Sequence, residues 1–238
     1  MFNFGKIKHH STWIEPKGSP TGIHFKNSLT NTKTELKIKE ENSMLSWYSC
    51  GPTVYDDSHL GHARNYICID LIQRIIKNHF NVPLYHLMGV TDVDDKIIKK
   101  AKEENRDALE LARMYEKKFF DDLIALNVQL PQTILRVSEH IEEIILFIQQ
   151  IQKNGYAYES NGSIYFDSLN FKRDGGIQKL FSNNFEENQE SQISQTSEKK
   201  NAQDFALWKN EDTNNLGWQS PFGYGRPGWH IECSAMIQ

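Results

Sequence analysis

Two imidazoles three residues apart, His59 and His62, flank Gly61 in the stretch WYSCGPTVYDDSHLGHAR at residues 47–64, and a thiol, Cys50, stands at the other end of the same loop. Where a loop enters a helix, unpaired backbone N–H groups and the helix dipole favour a phosphate. Glycine lets a nucleotide approach closely, and imidazoles can donate to a phosphorus centre as it reacts. The pattern suits attack on the α-phosphate of ATP. Taken alone it reads as well as two surface histidines beside a cap. Cys50 and Cys233 could join in a zinc site with two further N, O or S ligands, or remain two separate buried thiols. Cys68, inside the helix after His62, reads as packing. Thr91, Asp92, Asp94 and Asp95 cluster ahead of Lys96, Lys99, Lys100 and Lys102. Such carboxylates can take an ammonium group or ribose hydroxyls, or cap a helix, and such lysines can face a polynucleotide or only water.

The elements that must position these groups follow from periodicity. Residues 23–38 and 45–50 read as extended, the second run ending at Gly51-Pro52, where proline cannot continue a ladder. From His62 the apolar positions Ile69, Ile72, Ile76 and Phe80 recur at helical spacing until Asn81 and Pro83. The run LYHLMGV then delivers TDVDD at its end, so strand, helix, strand reads as a βαβ unit whose ligands bind beyond the strand ends. Helices are predicted over 106–126 and 134–154, a hairpin over 156–167, and a mobile polar loop over 182–203. The segment WQSPFGYGRPGWHIECSAM, rich in glycine and aromatics, suggests a tightly shaped site.

Composition sets the class. The chain has 238 residues, 38% hydrophobic and 24% charged, and a net charge of -4, which excludes a generally basic, nucleic-acid-coating surface. Any polynucleotide contact must come from a local basic patch. Three scattered cysteines do not form a disulfide framework and point to a reducing compartment. No apolar run is long enough to span a bilayer, so no membrane partner is expected. Before Glu15, the stretch MFNFGKIKHHSTWI is basic and free of carboxylates, as in a short mitochondrial presequence or an ordinary frayed terminus.

Taken together, WYSCGPTVYDDSHLGHAR, MGVTDVDDKIIKKA, DFALWK and GRPGWHIECSAM resemble, in order and spacing, the cysteinyl-tRNA synthetases, a class I synthetase family. The resemblance runs from Phe25 to Met236 and is greatest to the animal mitochondrial branch, which implies the mitochondrial matrix, with the cytoplasm as the alternative.

The resemblance implies an α/β, Rossmann-like catalytic domain with a mostly helical connective insertion. Residues 1–22 would be an N-terminal extension or presequence, 23–126 the first part of the catalytic domain, 127–203 the insertion and 204–238 the return. It implies a cysteine–tRNA ligase that acts on L-cysteine, ATP with magnesium, and tRNA(Cys). His59, Gly61 and His62 would bind ATP, with His59 and His62 catalytic. Gly51, Thr91 and Trp229 would contact substrate cysteine, and Cys50 and Cys233 would ligate zinc that reads the substrate thiol. It also implies that a histidine and a glutamate completing the zinc site, a lysine-containing loop that clamps ATP, and anticodon-reading domains lie beyond Gln238, so that this chain is a truncated form. Related proteins suggest a further cofactor, pyridoxal phosphate, at Lys96 and Lys99. The rival readings are a non-catalytic regulatory or binding fragment and a cysteine ligase of thiol-cofactor biosynthesis with an amino-sugar acceptor.

Overall fold

Leu84–Thr91 is the strand around which the first half of the chain is built. Its eight residues, LYHLMGVT, are buried at six positions and half-buried at the other two, the pattern of a central parallel strand covered on both faces. The computed structural model describes residues 14–28, 30–40, 43–174 and 198–237. In chain order these form β1 (Ser19–Asn27), β2 (Thr32–Ile38), β3 (Leu45–Thr53), α1 (Leu60–Asn78), β4 (Leu84–Thr91), α2 (Asp95–Glu104), α3 (Ala108–Ala125), β5 (Thr133–Arg136), a 3-10 turn (Val137–Glu139) and α4 (Ile141–Lys153). Then follow β6 (Ala157–Ser160), β7 (Ser163–Phe166), α5 (Ser168–Arg173), β8 (Phe205–Asn210), β9 (Gly225–Pro227) and α6 (Trp229–Met236). Residues 1–13 of the predicted N-terminal extension or presequence (1–22), and most of the predicted polar loop, fall outside the described residues.

The chain divides into two compact units. One comprises Pro16–His24, Glu35–Ile141 and Glu232–Gln238. Its sheet has the order β3-β4-β5, with both pairings parallel. The βαβ expectation therefore holds for β3, α1 and β4. Val54, Tyr66, Met88, Val90, Leu111 and Phe119 belong to its main core, and Ile23, Ile38, Ile76, Val82 and Leu84 form a second cluster. The other unit comprises Met1–Glu15, Phe25–Thr34 and Glu142–Ile231, and its sheet has the antiparallel order β6-β7-β8-β9.

Three local expectations are corrected. Strand β3 does not stop before Gly51-Pro52 but runs through to Thr53, and the missing proline N–H is absorbed by a shift of register between Cys50 and Thr53. Residues 134–140 do not begin a helix; most of β5 and the 3-10 turn occupy them, because β4 offers a parallel partner from Leu87 to Val90. The inner face of α1 is not an isoleucine stripe: its buried residues are Tyr66, Asp70, Gln73 and Ile76, while Ile69 and Ile72 are half-buried. Asp70 tolerates burial because Arg74 Nε donates to it at 2.6 Å and the Gln129 N–H at 3.1 Å.

A second buried polar pair bridges the sheet, Ser49 Oγ lying 2.6 Å from His86 Nε2. Burial, reinforced by Lys77 and opposed by Asp70, pushes the His86 pKa down from 6.5 to about 4. The native state thus holds His86 neutral while the unfolded chain can charge it. This contribution to stability is complete above about pH 6.5 and is lost as the pH falls toward 4, at most about 3 kcal/mol. Urea unfolding at pH 7 and pH 4.5 should show that loss, and it should shrink in His86→Gln. A pH profile identical in the two proteins would refute the assignment.

Candidate active site at the ends of β3 and β4

The N-terminus of α1 is closed by its own histidines. His59 Nδ1 accepts from the N–H groups of Gly61 (3.1 Å) and His62 (3.4 Å), and His62 Nδ1 accepts from the His59 N–H (3.3 Å). This is a reciprocal capping box written in imidazoles. With both Nδ1 lone pairs engaged, each neutral ring carries its proton on Nε2 and has one N–H donor left to offer. Burial, followed by the charge of His59, lowers the His62 pKa and favours this neutral form. The rings stack with centroids 3.8 Å apart. Gly61 is demanded by the cap, since a Cβ there would lie 2.9 Å from the His59 ring. The two readings of the HLGH motif are therefore compatible: the histidines cap the helix through one nitrogen and keep the other for a ligand. Ser58, His59, His62, Phe119, Asp122 and Leu126 line a cavity of about 270 Å³ beside them.

Near the end of β3, ahead of this cap, Cys50 Sγ lies 3.4 Å from Cys233 Sγ, which α6 supplies. Both thiols are free. The pair shares a proton unequally: donation from Cys233 lowers the Cys50 pKa to about 7, and the Cys233 thiol is pushed up. Two sulfurs bound to one tetrahedral zinc at about 2.3 Å stand roughly 3.8 Å apart, so the observed separation fits two adjacent zinc ligands. Among the described residues no group of three or more His, Cys, Asp or Glu is arranged to hold a metal. The Tyr66 hydroxyl donates to the Cys50 carbonyl at 3.1 Å and fixes the backbone beneath the thiol. Gly51 and Gly89 let the strands meet here. A Cβ on Gly51 would come within 2.5 Å of the Gly89 carbonyl oxygen, and one on Gly89 would strike the Tyr48 hydroxyl. Burial, with Cys233 and Cys50 beside it, holds the Tyr48 phenol well above its usual pKa.

The acidic cluster after β4 separates into distinct tasks. Asp92, 0% exposed, accepts from the Ser138 N–H (2.9 Å) and Oγ (2.5 Å), with Arg113 at 3.5 Å. Arg113 also pairs with Glu116 and Glu139, and Arg136 chelates Glu116. Asp94 caps α2 by accepting from the Lys96 N–H. Asp95 sits in the first turn of α2, where a negative charge suits the dipole. Thr91 donates through Oγ1 to Glu232 Oε2 at 2.9 Å. Glu232, 1% exposed, keeps Oε1 without a hydrogen-bond partner, and burial raises its pKa well above the carboxylate range.

Sequence reasoning missed Tyr48, Tyr66, Gly89 and Glu232. Of these, Gly89 alone left a signal, a glycine inside a strand pattern.

The lysines of α2 also divide. Lys100 reaches Asp56 at 2.9 Å, and Lys118 of α3 reaches Asp57 at 2.8 Å, both ammonium groups lying over the Tyr115 ring. These pairs tie the loop before His59 to the helices behind it. Lys96 and Lys99 are exposed, the Lys99 side chain by 80%. Neither is enclosed as a Schiff-base lysine must be to lower its pKa, so they do not fit pyridoxal phosphate. Trp229 opens α6 in the other unit, 54% exposed and edge-on to His230 at 5.3 Å.

A parallel α/β unit with a capped helix at its strand ends is a Rossmann-like arrangement, one that class I synthetases share with other doubly wound folds. A Mycobacterium tuberculosis methionyl-tRNA synthetase solved with methionyl-adenylate superposes with a TM-score of 0.55, over 75% of this chain and 43% of that one, at 16% identity. The family model described as tRNA synthetases class I (C) catalytic domain matches residues 36–238, and the chain belongs to that family. It is 44% identical over 234 residues to a cytoplasmic cysteine–tRNA ligase of Dictyostelium discoideum, 47% over 230 to a probable mitochondrial one of the same organism, and 46% over 226 to a probable mitochondrial one of Xenopus tropicalis. These alignments cover 94%, 91% and 94% of the chain but 36%, 39% and 38% of the relatives. The chain thus spans less than half of their length.

The close approach of β3 and β4 is directly testable. Gly51→Ala should lower the unfolding free energy by about 1–3 kcal/mol, the cost of forcing a methyl group against a backbone carbonyl. Chemical denaturation measures it, and an unchanged midpoint would show that the strands can spread.

Proposed function

We propose that the protein activates L-cysteine with ATP and passes it to tRNA(Cys). The observation that carries this reading is the meeting of the Cys50 and Cys233 sulfurs at 3.4 Å near the end of β3, the strand that leads into the His59–His62 cap, in a member of the class I (C) family. One element would then hold the amino acid's side chain at one end and the nucleotide at the other. The cysteine carboxylate attacks the α-phosphorus of magnesium-bound ATP, forming cysteinyl-adenylate and releasing pyrophosphate. A terminal ribose hydroxyl of the tRNA then takes the acyl group and frees AMP. The outward Nε2–H groups of His59 and His62 are suited to donate to the phosphate oxygens as charge builds there. Zinc held by Cys50 and Cys233, with ligands outside the described residues, would prefer a thiolate to a serine hydroxyl, a distinction that an apolar pocket makes poorly. Gly51 and Thr91 are the proposed cysteine contacts within the β3-β4-β5 unit.

The mitochondrial matrix is the proposed compartment, supported by the basic, carboxylate-free first fourteen residues and by relatives named as mitochondrial. A cytoplasmic relative is comparably similar. Microscopy of the chain fused at its C-terminus to a fluorescent protein decides between the two sites.

Cysteine-dependent exchange between pyrophosphate and ATP tests the reaction. His62→Ala should slow adenylate formation by about 100-fold with little change in cysteine affinity, as removal of a transition-state donor predicts. Adenylate formation at the parent rate would remove His62 from the chemistry. An amino-sugar acceptor in place of tRNA(Cys) would favour thiol-cofactor biosynthesis, and absence of exchange a binding role.

Metal analysis tests the thiol pair. The protein should bind zinc through Cys50 and Cys233, and Cys50→Ser should weaken that binding by tenfold or more in competition with a chelator. Equal zinc retention by the two proteins would exclude Cys50 as a ligand.

A further inference from the structure

Between the end of β3 at Thr53 and the cap at His59 the chain crosses residues 54–58, and the two halves of that crossing are held differently. Val54 is fixed through its backbone, its N–H donating to the Thr91 carbonyl at 3.1 Å. Beyond Tyr55 side chains take over, since the Asp57 N–H donates only to its neighbour, Asp56 Oδ1, at 2.9 Å. Lys96 Nζ lies 5.3 Å from the centre of the Tyr55 ring, Lys100 Nζ 2.9 Å from Asp56 Oδ1, and Lys118 Nζ 2.8 Å from Asp57 Oδ1. Three successive loop residues are thus each held by a lysine of α2 or α3. The Lys100 and Lys118 ammonium groups also meet one ring, at 4.5 and 4.9 Å from the Tyr115 centroid, and that ring is buried in the main core. An aromatic face attracts cations, and a carboxylate beside each ammonium offsets their mutual repulsion. Exposed ion pairs add little to stability, so a clasp of this kind places a loop more than it supports a fold. Ser58 alone separates the clasp from His59.

We propose that Lys100 and Lys118 are positioning residues that, through Asp56 and Asp57, set where the free imidazole N–H groups of His59 and His62 stand when the phosphate reacts. The lysines do not touch the substrate. Each imidazole is aligned through its own Nδ1 within the cap, and the cap is aligned by the loop that enters it, so a shift of the loop moves both donors together. A displacement of about 1 Å, even one caused far from the chemistry, can slow a positioned reaction by about 100-fold. The inference rests on the nucleotide reading given above and adds to it the residues that hold the donors in place.

The test reads the cap and the chemistry separately on the full chain. Amide exchange at Gly61, whose N–H donates to His59 Nδ1, reports the cap by NMR without need of activity. A variant carrying Lys100→Met and Lys118→Met, which keeps the stems and removes the charges, should exchange there about fivefold faster or more, while Leu87 in β4 and Leu123 in α3 keep the parent rate. A variant carrying Asp56→Asn and Asp57→Asn opens the clasp from the loop side and should give the same change, and either carries the test if the other fails to fold. Lys100→Arg with Lys118→Arg keeps both charges and should restore most of the parent behaviour. In cysteine-dependent adenylate formation both neutralised variants should lower kcat about tenfold and leave the KM for ATP within about twofold. Parent exchange at Gly61 in both of them, or parent kcat, would overturn the proposal. A rise in the KM for ATP confined to the lysine variant would also overturn it, by making the lysines direct phosphate contacts. A parent protein that forms no adenylate, with exchange at Gly61 altered as expected, defeats the nucleotide reading and reduces the clasp to a loop tether.

Discussion

The close contact of β3 with β4 is the constraint on which the rest of the candidate site depends. Cys50 pairs with Gly89 in parallel register, and both Gly51 and Gly89 lack the Cβ that would hold the strands apart. Parallel strands joined by a helix end on the same edge of their sheet, so one register decision sets the loop after β3 beside the turn after β4. The thiol, the histidine cap, Thr91 and the acidic turn then share an edge although the chain introduces them separately. Tyr48 and Tyr66 complete the arrangement from behind, one filling the space over Gly89 and the other holding the Cys50 carbonyl.

Negative charge at that edge is handled by giving each carboxylate a different partner. Asp92 is paid for by Ser138 and Arg113, Asp94 by the first turn of α2, and Glu232 by Thr91 and a raised pKa. A buried carboxylate with neither charge partner nor donors is costly, so this division fixes which oxygens remain for chemistry. The Asp92 anchor also secures the 3-10 turn behind β5, and through Arg113, Glu116 and Arg136 it ties α3 to β5. Loss of Asp92 would loosen three elements as well as a corner of the site.

The legible parts of the sequence were those governed by neighbours along the chain. The strand ahead of Cys50, the helix starting at the HLGH motif and the strand delivering TDVDD each carry local periodicity, and the family likeness of these blocks agrees with the match over residues 36–238. The parts that were not legible depend on distant partners. Residues 134–136 join a strand only because β4 has a free edge, and nothing within TILR expresses that. The buried Asp70 and Gln73 of α1 break an isoleucine pattern that looks complete on paper, since Asp70 is matched by Gln129, 59 residues away. Glu232 looks like any helix acid until Thr91, 141 residues earlier, is brought to its side.

The sulfur pair joins positions 183 residues apart, which gives the site a place in time as well as in space. Closing a loop of that length costs on the order of 4–5 kcal/mol of chain entropy, and no local contact repays it early. On a ribosome, which delivers residues from the N-terminus, the β3-β4-β5 sheet can assemble long before α6 emerges. Cys50 must therefore wait, reduced and unpaired, until the 183 residues up to its partner have been made. The pairing of these thiols waits on α6, and their protection from an alkylating reagent is a clock for its arrival.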